Sequence, residues 1–433
     1  MKKLIALLLC AALCLGCFSG CKEIEGLARS VGEELELIEP AGTGTAETTA
    51  PPDEPVGTEP AVTNPDSGAP VLPTDLGLTD FDSGLINFLR DRNDGNFTVS
   101  PLSFKAALVL AALGAEGETQ RQLLDLMGFR TVEEMTAWYA AVLDGTDSFR
   151  GWFEAHPDLD SGEAAYEVVN SLWKNLDLPG EFTEDYRTRA DELLRAHLGS
   201  ASGQQLGGAI NTWVSEQTRG LIPELVGDVS DASAVLVNAL YLKSAWLDAF
   251  NRIGSDVFTT AAGDKVDKNY MRQTGYFPYY EDGETQLVSV PLQGGISMVF
   301  LLGSGANLSA KLAAARSRRV EVTVPMFDVE TALNNRELTE FLISRGCTKM
   351  LTEQAEFGGM FTEPLYVGDV IQKAKVHIDE DGLEAAAATA VITYGSTAVP
   401  ATPLVFRADH EFSFCIVAGE TNPELLFWGQ IVE

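Results

Sequence analysis

The side chains that most often carry out chemistry are sparse in this sequence and lie far apart. The four histidines form no pair with metal-ligand spacing: His156, His197, His377 and His410. The chain also lacks a His-Glu-x-x-His motif, a Gly-x-Ser-x-Gly motif, a phosphate-binding loop and a dinucleotide fingerprint. The sequence therefore predicts a protein that is not an enzyme and that needs neither a cofactor nor a metal ion.

One stretch near the end of the chain has an unusual order of residue types. Residues Val376–Asp379 alternate as a β-strand does, and Glu380–Gly382 then interrupt the pattern with residues that strands disfavour. The run Ala385–Ala388 favours a helix, whereas Val391–Tyr394 favours a strand. A surface loop or a short helix is one interpretation. Because no single state suits the segment, the other interpretation is that it changes state.

As a strand, this segment would have two different faces, because alternate side chains point to opposite sides. The first face would hold Leu383, Ala385, Ala387, Thr389, Val391 and Thr393, and the second Glu384, Ala386, Ala388, Ala390 and Ile392. Alanines are small enough to enter between two packed strands without displacing their neighbours. We expect the first face to be buried against helices and the second to face solvent, so that Ala388 tolerates a charge and Ala387 does not.

Residues 380–389 resemble a known conformational hinge. They read Glu-Asp-Gly-Leu-Glu-Ala-Ala-Ala-Ala-Thr, and the hinge of the reactive-centre loop in the serpin family usually reads Glu-x-Gly-Thr-Glu-Ala-Ala-Ala-x-Thr. The resemblance implies that a protease cuts this loop and that the freed hinge inserts into the central sheet. Leu383 is larger than the family's usual residue and is expected to slow insertion. The hinge residues are Glu380, Gly382, Leu383, Glu384, Ala385, Ala386, Ala387, Ala388 and Thr389.

The rest of residues 75–433 resembles the same family, segment by segment and in order. The matching segments are Asn96–Ala115, Val168–Trp173, Ile210–Ile222, Val235–Trp246, Val320–Phe327, Phe357–Met360, Phe406–Phe414 and Leu425–Ile431. The resemblance implies an α+β serpin fold with three β-sheets, about eight or nine helices and an exposed reactive-centre loop. Within the first segment, Ser100 and Ser103 are predicted to cap a core helix, and Gly114 fits a helix C-cap.

Two further family sites map onto this chain. The shutter, where the central sheet must part, corresponds to Ser100, Ser103, Asn238 and Gln372. Serpins commonly have a histidine where this chain has Gln372. Glutamine also offers a donor and an acceptor, so we expect the network to survive in altered form. Trp246 matches the aromatic residue of the breach, where the loop enters the sheet, although on its own it would be an ordinary core aromatic.

The resemblance also places the reactive bond. The family usually has the cut roughly seventeen residues into the segment that starts with the hinge glutamate, which gives Ser396–Thr397 as the bond, with Tyr394 and Gly395 as protease-recognition residues just before it. A small residue before the cut suits an elastase-like protease, and Tyr394 keeps a chymotrypsin-like protease as the alternative. Trypsin-like proteases are disfavoured, because Lys375–Arg407 contains no other Lys or Arg.

The start of the sequence resembles an exported lipoprotein. Residues 1–20 combine Met1-Lys2-Lys3 with a short apolar run, as a lipoprotein-type signal peptide does. Lipidation is predicted at Cys21, with Cys17 as the alternative. Residues 21–74 are acidic and rich in Pro, Thr and Gly, which predicts a disordered tether before the serpin domain of residues 75–433. The sequence therefore predicts a secreted protein held at the cell surface by an N-terminal lipid.

The net charge of −33 disfavours nucleic acid and anionic membranes as partners, so we expect contact with a membrane through the lipid anchor only. Cys347 and Cys415 are expected to be buried free thiols, with a disulfide as the alternative.

The expected partners are extracellular serine proteases, held in a covalent complex by a monomeric suicide inhibitor. The alternative functions are a non-inhibitory serpin that serves as a carrier or surface binding protein, and a lipoprotein that binds ligands through its acidic face.

Overall fold

The computed structural model describes residues 78–159, 164–303, 305–333, 335–383, 402–419 and 424–433. These residues belong to one compact unit. Several predicted features lie outside them: the signal peptide, Cys21, the tether, the hinge residues Glu384–Thr389, the recognition residues Tyr394 and Gly395, and the reactive bond Ser396–Thr397. The structure therefore bears on the start of the hinge and on the sheet around it.

Eight α-helices fall within the described residues. They are α1 (Asp80–Arg90), α2 (Pro101–Gly114), α3 (Gly117–Met127), α4 (Val132–Ala155), α5 (Glu184–Leu194), α6 (Gly203–Gln217), α7 (Leu308–Ala314) and α8 (Asn335–Ser344). None of these helices combines the length and the apolar character needed to cross a membrane.

The same residues form fifteen strands. They are β1 (Phe97–Val99), β2 (Ala165–Asn175), β3 (His197–Ala201), β4 (Ala234–Ala245), β5 (Asn251–Thr259), β6 (Lys265–Glu281), β7 (Thr285–Pro291), β8 (Ile296–Gly303), β9 (Arg316–Pro325), β10 (Phe327–Leu333), β11 (Asp369–Ile378), β12 (Gly382–Leu383), β13 (Leu404–Arg407), β14 (Phe412–Ala418) and β15 (Glu424–Ile431). Strand β11, which contains the alternating residues at its end, is buried at every second residue, whereas β4, β14 and β15 are buried on both faces over most of their length.

The strands form a six-stranded and a nine-stranded network. The six-stranded one, called the central sheet below, has the order β10-β11-β12-β4-β2-β3. The nine-stranded one runs β1-β15-β14-β8-β7-β6-β9-β13, with β5 also paired to β6. The long strand β6 pairs with β5 and β9 over most of its length and with β7 at its end, which divides this network into two sheets. The predicted α+β fold with three sheets and about eight or nine helices is confirmed, with eight helices among the described residues.

Helix α2 lies in the core, and every one of its side chains is buried. Ser100 is its N-cap and accepts a hydrogen bond from the Ser103 backbone at 3.1 Å, as predicted. The prediction for Ser103 is wrong, because this residue lies in the first turn and its hydroxyl bonds elsewhere. Gly114 ends the helix but is not a left-handed cap. A glycine is needed at position 114 for packing, because a Cβ there would lie 2.6 Å from the Cβ of Met360.

The two faces of the central sheet are covered by different layers. Leu172, Leu236 and Val370 on one face join the core that contains α2. On the other face, α6 and the residues that follow it cover the part of the sheet around Val235, Val237 and Ala239. Residues 218–232, which lead from α6 to β4, are called the crossing segment below. Cys347 and Cys415 are both buried and free, so the disulfide alternative is excluded.

Candidate functional site: the slit in the central sheet

The start of the hinge lies between two strands of the central sheet. Within the described residues, strand β12 consists of Gly382 and Leu383, and it separates the ends of β11 and β4. Leu383 pairs with Ile378 of β11 on one side and with Ser244 of β4 on the other, both antiparallel. The chain therefore turns back after β11 and begins a new central strand.

Below β12, the two flanking strands pair with each other. Residues Asp369–Lys373 of β11 pair in parallel with Val235–Ala239 of β4. The direct pairs end at Lys373 and Ala239, and we call this point the fork. Above the fork, β11 and β4 diverge until β12 fills the space between Ile378 and Ser244. The sheet thus contains a slit that is occupied by a hinge strand at its top and closed by direct strand pairing at its bottom.

A tight turn directs the chain from β11 into the slit. The carboxylate of Asp379 accepts hydrogen bonds from the backbone amides of Asp381 at 2.9 Å and Gly382 at 3.1 Å. Gly382 has a φ of +143°, which side-chain-bearing residues rarely adopt. A Cβ at this position would also lie 2.4 Å from the carbonyl oxygen of Ser244. The hinge glycine is thus required both by its conformation and by its close approach to β4.

Trp246, the predicted breach residue, and Phe250 hold the backbone of this turn through hydrogen bonds. The indole Nε1 of Trp246 donates to the carbonyl of Asp379 at 2.9 Å, and its backbone amide donates to the carbonyl of Asp381 at 3.1 Å. The amide of Phe250 donates to the carbonyl of Glu380 at 3.0 Å. Trp246 and Phe250 also contact each other, with ring centroids 4.9 Å apart. Trp246 is therefore a hydrogen-bond partner of the hinge as well as a core aromatic.

A salt bridge links the hinge glutamate to strand β5. The Nε and Nη2 atoms of Arg252 donate to the two carboxylate oxygens of Glu380, each at 2.9 Å. These hydrogen bonds hold the pKa of Glu380 below its usual range. Burial raises the pKa of the neighbouring Asp381, and the charges of Asp379 and Glu380 raise it further. Arg252 and Asp379 are missing from the sequence-based site, because neither has a signal that marks it as a hinge contact.

Leu383 shows which side of the hinge strand is the buried one. Its side chain is 2 % exposed and lies in the same apolar cluster as Leu240, Leu242, Val376 and Ile378. For this residue the predicted inward direction is confirmed. The expectation that the large Leu383 slows insertion stays a prediction, but its own side chain is already within the sheet in this structure.

The predicted shutter residues come together next to the fork. The hydroxyl of Ser103 donates to the side-chain carbonyl of Asn238, and the amide nitrogen of Asn238 donates to the side-chain carbonyl of Asn170. Asn170 in turn donates to the hydroxyl of Tyr139 at 2.8 Å. Asn170 and Tyr139 extend the network from α2 and β4 to β2 and α4, and sequence reasoning missed both of them.

Gln372 joins this group through the backbone. It stands opposite Asn238 in the pairing of β11 with β4, and its Nε2 donates to the backbone carbonyl of Ser100 at 2.9 Å. Its Oε1 is buried and has no hydrogen-bond partner among the described residues. The altered network thus keeps the donor role of the glutamine and leaves its acceptor unused. The role of these residues as a shutter stays a prediction.

The described residues contain no group of three or more His, Cys, Asp or Glu side chains that could hold a metal ion. What the arrangement can do is mechanical: it holds the first residues of a strand at the top of a slit whose two walls have parted. Further residues of that strand would have to separate β11 from β4 at the fork.

Comparisons with known proteins give the family. A family model described as Serpin (serine protease inhibitor) matches residues 77–433. The chain is 29 % identical over 392 residues to human Serpin B3, covering 81 % of this chain and 97 % of that protein. It is 28 % identical over 386 residues to the leukocyte elastase inhibitor of Sus scrofa, covering 82 % and 97 %. The chain belongs to the serpin family.

The fold has close counterparts among solved structures. The crystal structure of Serpin48 from the insect Tenebrio molitor superposes with a TM-score of 0.67 at 24 % identity, covering 82 % of this chain and 96 % of that one. This structural similarity supports the fold, and the match to the family model shows that the chain is a serpin.

Proposed function

We propose that this serpin is a suicide-substrate inhibitor of serine proteases. In this proposal, a protease attacks the Ser396–Thr397 bond through its own catalytic triad and oxyanion hole. The protease serine oxygen bonds to the Ser396 carbonyl carbon, and the amine of Thr397 leaves with a proton. The freed hinge then advances down the slit before water hydrolyses the ester, and the protease remains covalently attached.

The observation that best supports this proposal is strand β12. Leu383 already pairs with both walls of the slit and Gly382 pairs with β4, so insertion is the extension of a strand that exists and not the start of a new one. Strand addition to a sheet is a general mode of recognition, and serpin loop insertion is one known case of it. Roughly a dozen further residues would each add hydrogen bonds worth about 1 kcal/mol net, enough to drive distortion of a captured protease.

The sequence favours an elastase-like target, with a chymotrypsin-like one as the alternative. Ser396 is small, and one relative is named a leukocyte elastase inhibitor. The test is incubation of the full chain with pancreatic elastase, chymotrypsin and trypsin, followed by denaturing electrophoresis. We expect an SDS-resistant complex with elastase or chymotrypsin and none with trypsin. Cleavage by all active proteases without any complex would contradict the proposal.

The peptide released from the complex checks the register of the loop. Its mass should correspond to a fragment that starts at Thr397, and a start outside Gly395–Val399 would show that the reactive bond is misplaced.

The alternative is a non-inhibitory serpin that acts as a surface binding protein. Such members of the family tend to carry bulky, charged or proline residues in the hinge. Ala385–Thr389 are as small as the inhibitory pattern requires, which favours inhibition. The same incubation separates the two functions, because a non-inhibitory protein would be cut without trapping the protease.

We also propose that the protein is exported as a monomer and held at the cell surface by lipid on Cys21. Gly20 is small enough for the residue before a lipidated cysteine. Replacement of Cys21 by Ser should release the protein into the medium. If only Cys17→Ser releases it, Cys17 is the lipidated residue.

A further inference from the structure

His377 lies at the end of β11, directly before the turn that leads into the slit. It stands opposite Asp328 in the pairing of β11 with β10. Its Nδ1 lies 3.5 Å from the carboxylate of Asp328, and its Nε2 lies 3.7 Å from the carboxylate of Asp379. These distances are long for hydrogen bonds but fall within the range of ion-pair contacts. The imidazole therefore lies between two carboxylates, one on a neighbouring strand and one in the turn.

The carboxylate of Asp379 is the one that shapes the turn. Its Oδ1 accepts the hydrogen bonds from the backbone amides of Asp381 and Gly382, while its Oδ2 faces His377. Among the described residues, His377 is the only side chain able to carry a positive charge within salt-bridge distance of this carboxylate. The imidazole can therefore orient the Asp379 carboxylate, and the two hydrogen bonds of the turn depend on that orientation.

The strength of these two contacts depends on the charge of the imidazole. A neutral imidazole has one N–H group and one lone pair, so it can donate to only one of the two carboxylates. A protonated imidazole has two N–H groups and a positive charge, and it attracts both. Histidine side chains change charge between about pH 5 and 8. We therefore expect the contacts of His377 to weaken as the pH rises through this range.

The other charges near His377 are mixed. Lys375 lies two residues earlier on the same face of β11, and its Nζ is 3.9 Å from the carboxylate of Asp328, which it shares with His377. Arg252 of β5 forms a salt bridge with Glu380 and also attracts Asp379. The remaining charged side chains on the surrounding elements are Glu330 of β10, Asp381 of the turn and Lys243 of β4. None of these groups replaces His377 between the two carboxylates.

We propose that His377 is a positioning residue of the hinge and that its protonation secures the turn into the slit. This inference rests on the proposed inhibitory function, because it concerns the step at which the hinge strand starts to insert. With the imidazole protonated, Asp379 is held in place and β12 stays paired with β11 and β4. With the imidazole neutral, the turn is less constrained and β12 leaves the slit more often. The start of insertion is therefore more favourable near pH 6 than near pH 8.

Two substitutions separate the charge of His377 from its polarity. His377→Gln gives a polar side chain that is never charged, and His377→Lys gives one that is charged throughout pH 6–8. His410→Gln is the matched control. His410 is also exposed and lies 3.0 Å from a carboxylate, that of Asp409, but it pairs with Thr259 at the end of β5 that is remote from Arg252.

The first readout is the amide hydrogen exchange of Asp381 and Gly382, corrected for the intrinsic dependence of exchange on pH. In the unmodified chain and in His410→Gln, protection at pH 6 should exceed that at pH 8 by about two- to fivefold, the size expected of exposed ion pairs. His377→Gln should show the lower protection at both pH values, and His377→Lys the higher one. The same ratio between the two pH values in all four proteins would overturn the proposal, as would equal protection in His377→Gln and His377→Lys.

The second readout is the number of inhibitor molecules consumed for each elastase molecule inactivated. Elastase itself depends on pH, so each variant is compared with the unmodified chain at the same pH. His377→Gln should consume more inhibitor at pH 6 and the same amount at pH 8, whereas His377→Lys should consume less at pH 8.

The two readouts keep the two proposals apart. If the unmodified chain traps no protease, the proposed function fails, and hydrogen exchange still decides on His377. If complexes form but His377→Gln changes neither readout, the role of His377 is wrong and the proposed function stands.

Discussion

At the scale of single residues, Gly382 is the position where the turn into the slit tolerates least change. Its positive φ and the short approach of a Cβ to Ser244 act together. We expect Gly382→Ala to lower the free energy of unfolding by about 1–3 kcal/mol, measured by urea denaturation followed by circular dichroism. The loss arises because β12 must leave its pairing with β4 to make room for the methyl group.

Gly263→Ala is the matched control for this prediction. Gly263 has a φ of +88°, but nothing lies within 4 Å of a Cβ built there. Its replacement should therefore cost only the conformational strain, about 1 kcal/mol. If the two variants lose the same stability, the close contact of Gly382 with β4 has no energetic weight.

The two carboxylates of the hinge turn should respond to pH in opposite directions. Arg252 depresses the pKa of Glu380, so this group contributes stability above its unfolded pKa of about 4.3 and loses it as the pH falls through the folded pKa. Glu380→Gln should lower the melting temperature at pH 7, with the difference closing at more acidic pH. The effect should be at most about 1 kcal/mol, because solvent screens a pair in which Arg252 is largely exposed.

Asp381 supplies the opposite case. Burial raises its pKa, so its contribution to stability is present below its unfolded pKa and lost as the pH rises through the folded one. Asp381→Asn should therefore raise the melting temperature at pH 7 relative to the unmodified chain, with the difference closing on acidification. Melting curves of both variants between pH 3.5 and 7.5 check the signs. Parallel shifts in the two variants would contradict this electrostatic account.

The sequence predicts the residues of this site that belong to motifs and leaves out those that only the fold brings near. Gly382, Trp246 and Asn238 follow from the family pattern. Arg252 and Tyr139 do not, because they lie on β5 and α4, and nothing local marks a surface arginine or a core tyrosine as a partner of the slit. The capping prediction for Ser103 shows the reverse error. A serine near a helix start is a good capping signal, but the hydroxyl of Ser103 donates to Asn238 on β4.

At the scale of elements, the pairing of β12 sets the register of any longer hinge strand. Leu383 stands opposite Ile378 and Ser244, so an antiparallel continuation would place Ala387 between Ala374 and Leu240. Both neighbours are buried in the apolar cluster that contains Leu383. Position 388 would lie next to Lys373 and Ala239, below the crossing segment. The expectation that Ala388 faces open solvent after insertion stays a prediction, and this register counts against it, because α6 and the crossing segment cover that face of the sheet.

This register predicts that Ala387→Arg turns the inhibitor into a substrate. An unpaired charge among Ala374 and Leu240 would cost several kcal/mol, so insertion should stop at mid-loop while the acyl-enzyme is hydrolysed. The expected result with elastase is a cut inhibitor, an active protease and no SDS-resistant complex. The unmodified chain should give the complex under the same conditions.

Ala386→Arg is the control that the structure favours. In the same register it would lie beside Lys375. This lysine lines a cavity of about 670 Å³ between the crossing segment and β11, which leaves room for a long side chain. Complex formation should survive in this variant to a large extent. Stable complexes with Ala387→Arg at an unchanged rate would rule out strand insertion as the mechanism of this protein.

Alternation predicted the end of β11 and the family resemblance predicted β4, whereas the layer above these two strands was not predicted. Residues 218–232 have no regular period, so no pattern indicates that Ile222, Val226 and Val229 pack against β4. Their apolar character is visible in the sequence, but the surface that they cover depends on the path of the chain after α6.

At the scale of the whole molecule, the family resemblance over residues 75–433 predicted the fold because its segments occur in the expected order. The extent of hinge insertion could not be predicted from the sequence. It depends on whether β11 and β4 pair with each other or with the hinge strand between them. In this structure β11 pairs with β12 at one end and with β4 at the other, and the central sheet holds both arrangements at once.

The balance between these two pairings leads to a last prediction. It tests whether the protein becomes more stable when its hinge strand inserts, in the absence of a trapped protease. Cutting the chain once within residues 384–401 with a metalloprotease should let the hinge strand replace the direct β11–β4 pairs. About a dozen new residues at about 1 kcal/mol each correspond to a rise in melting temperature of roughly 20 °C for a domain of this size. Scanning calorimetry of the cut and uncut chains measures the rise. The cut form of Ala387→Arg should show a much smaller rise, because its strand stops before the fork. If cut and uncut forms of the unmodified chain melt together, the sheet gains nothing from the hinge, and the function of a non-inhibitory surface binding protein is favoured.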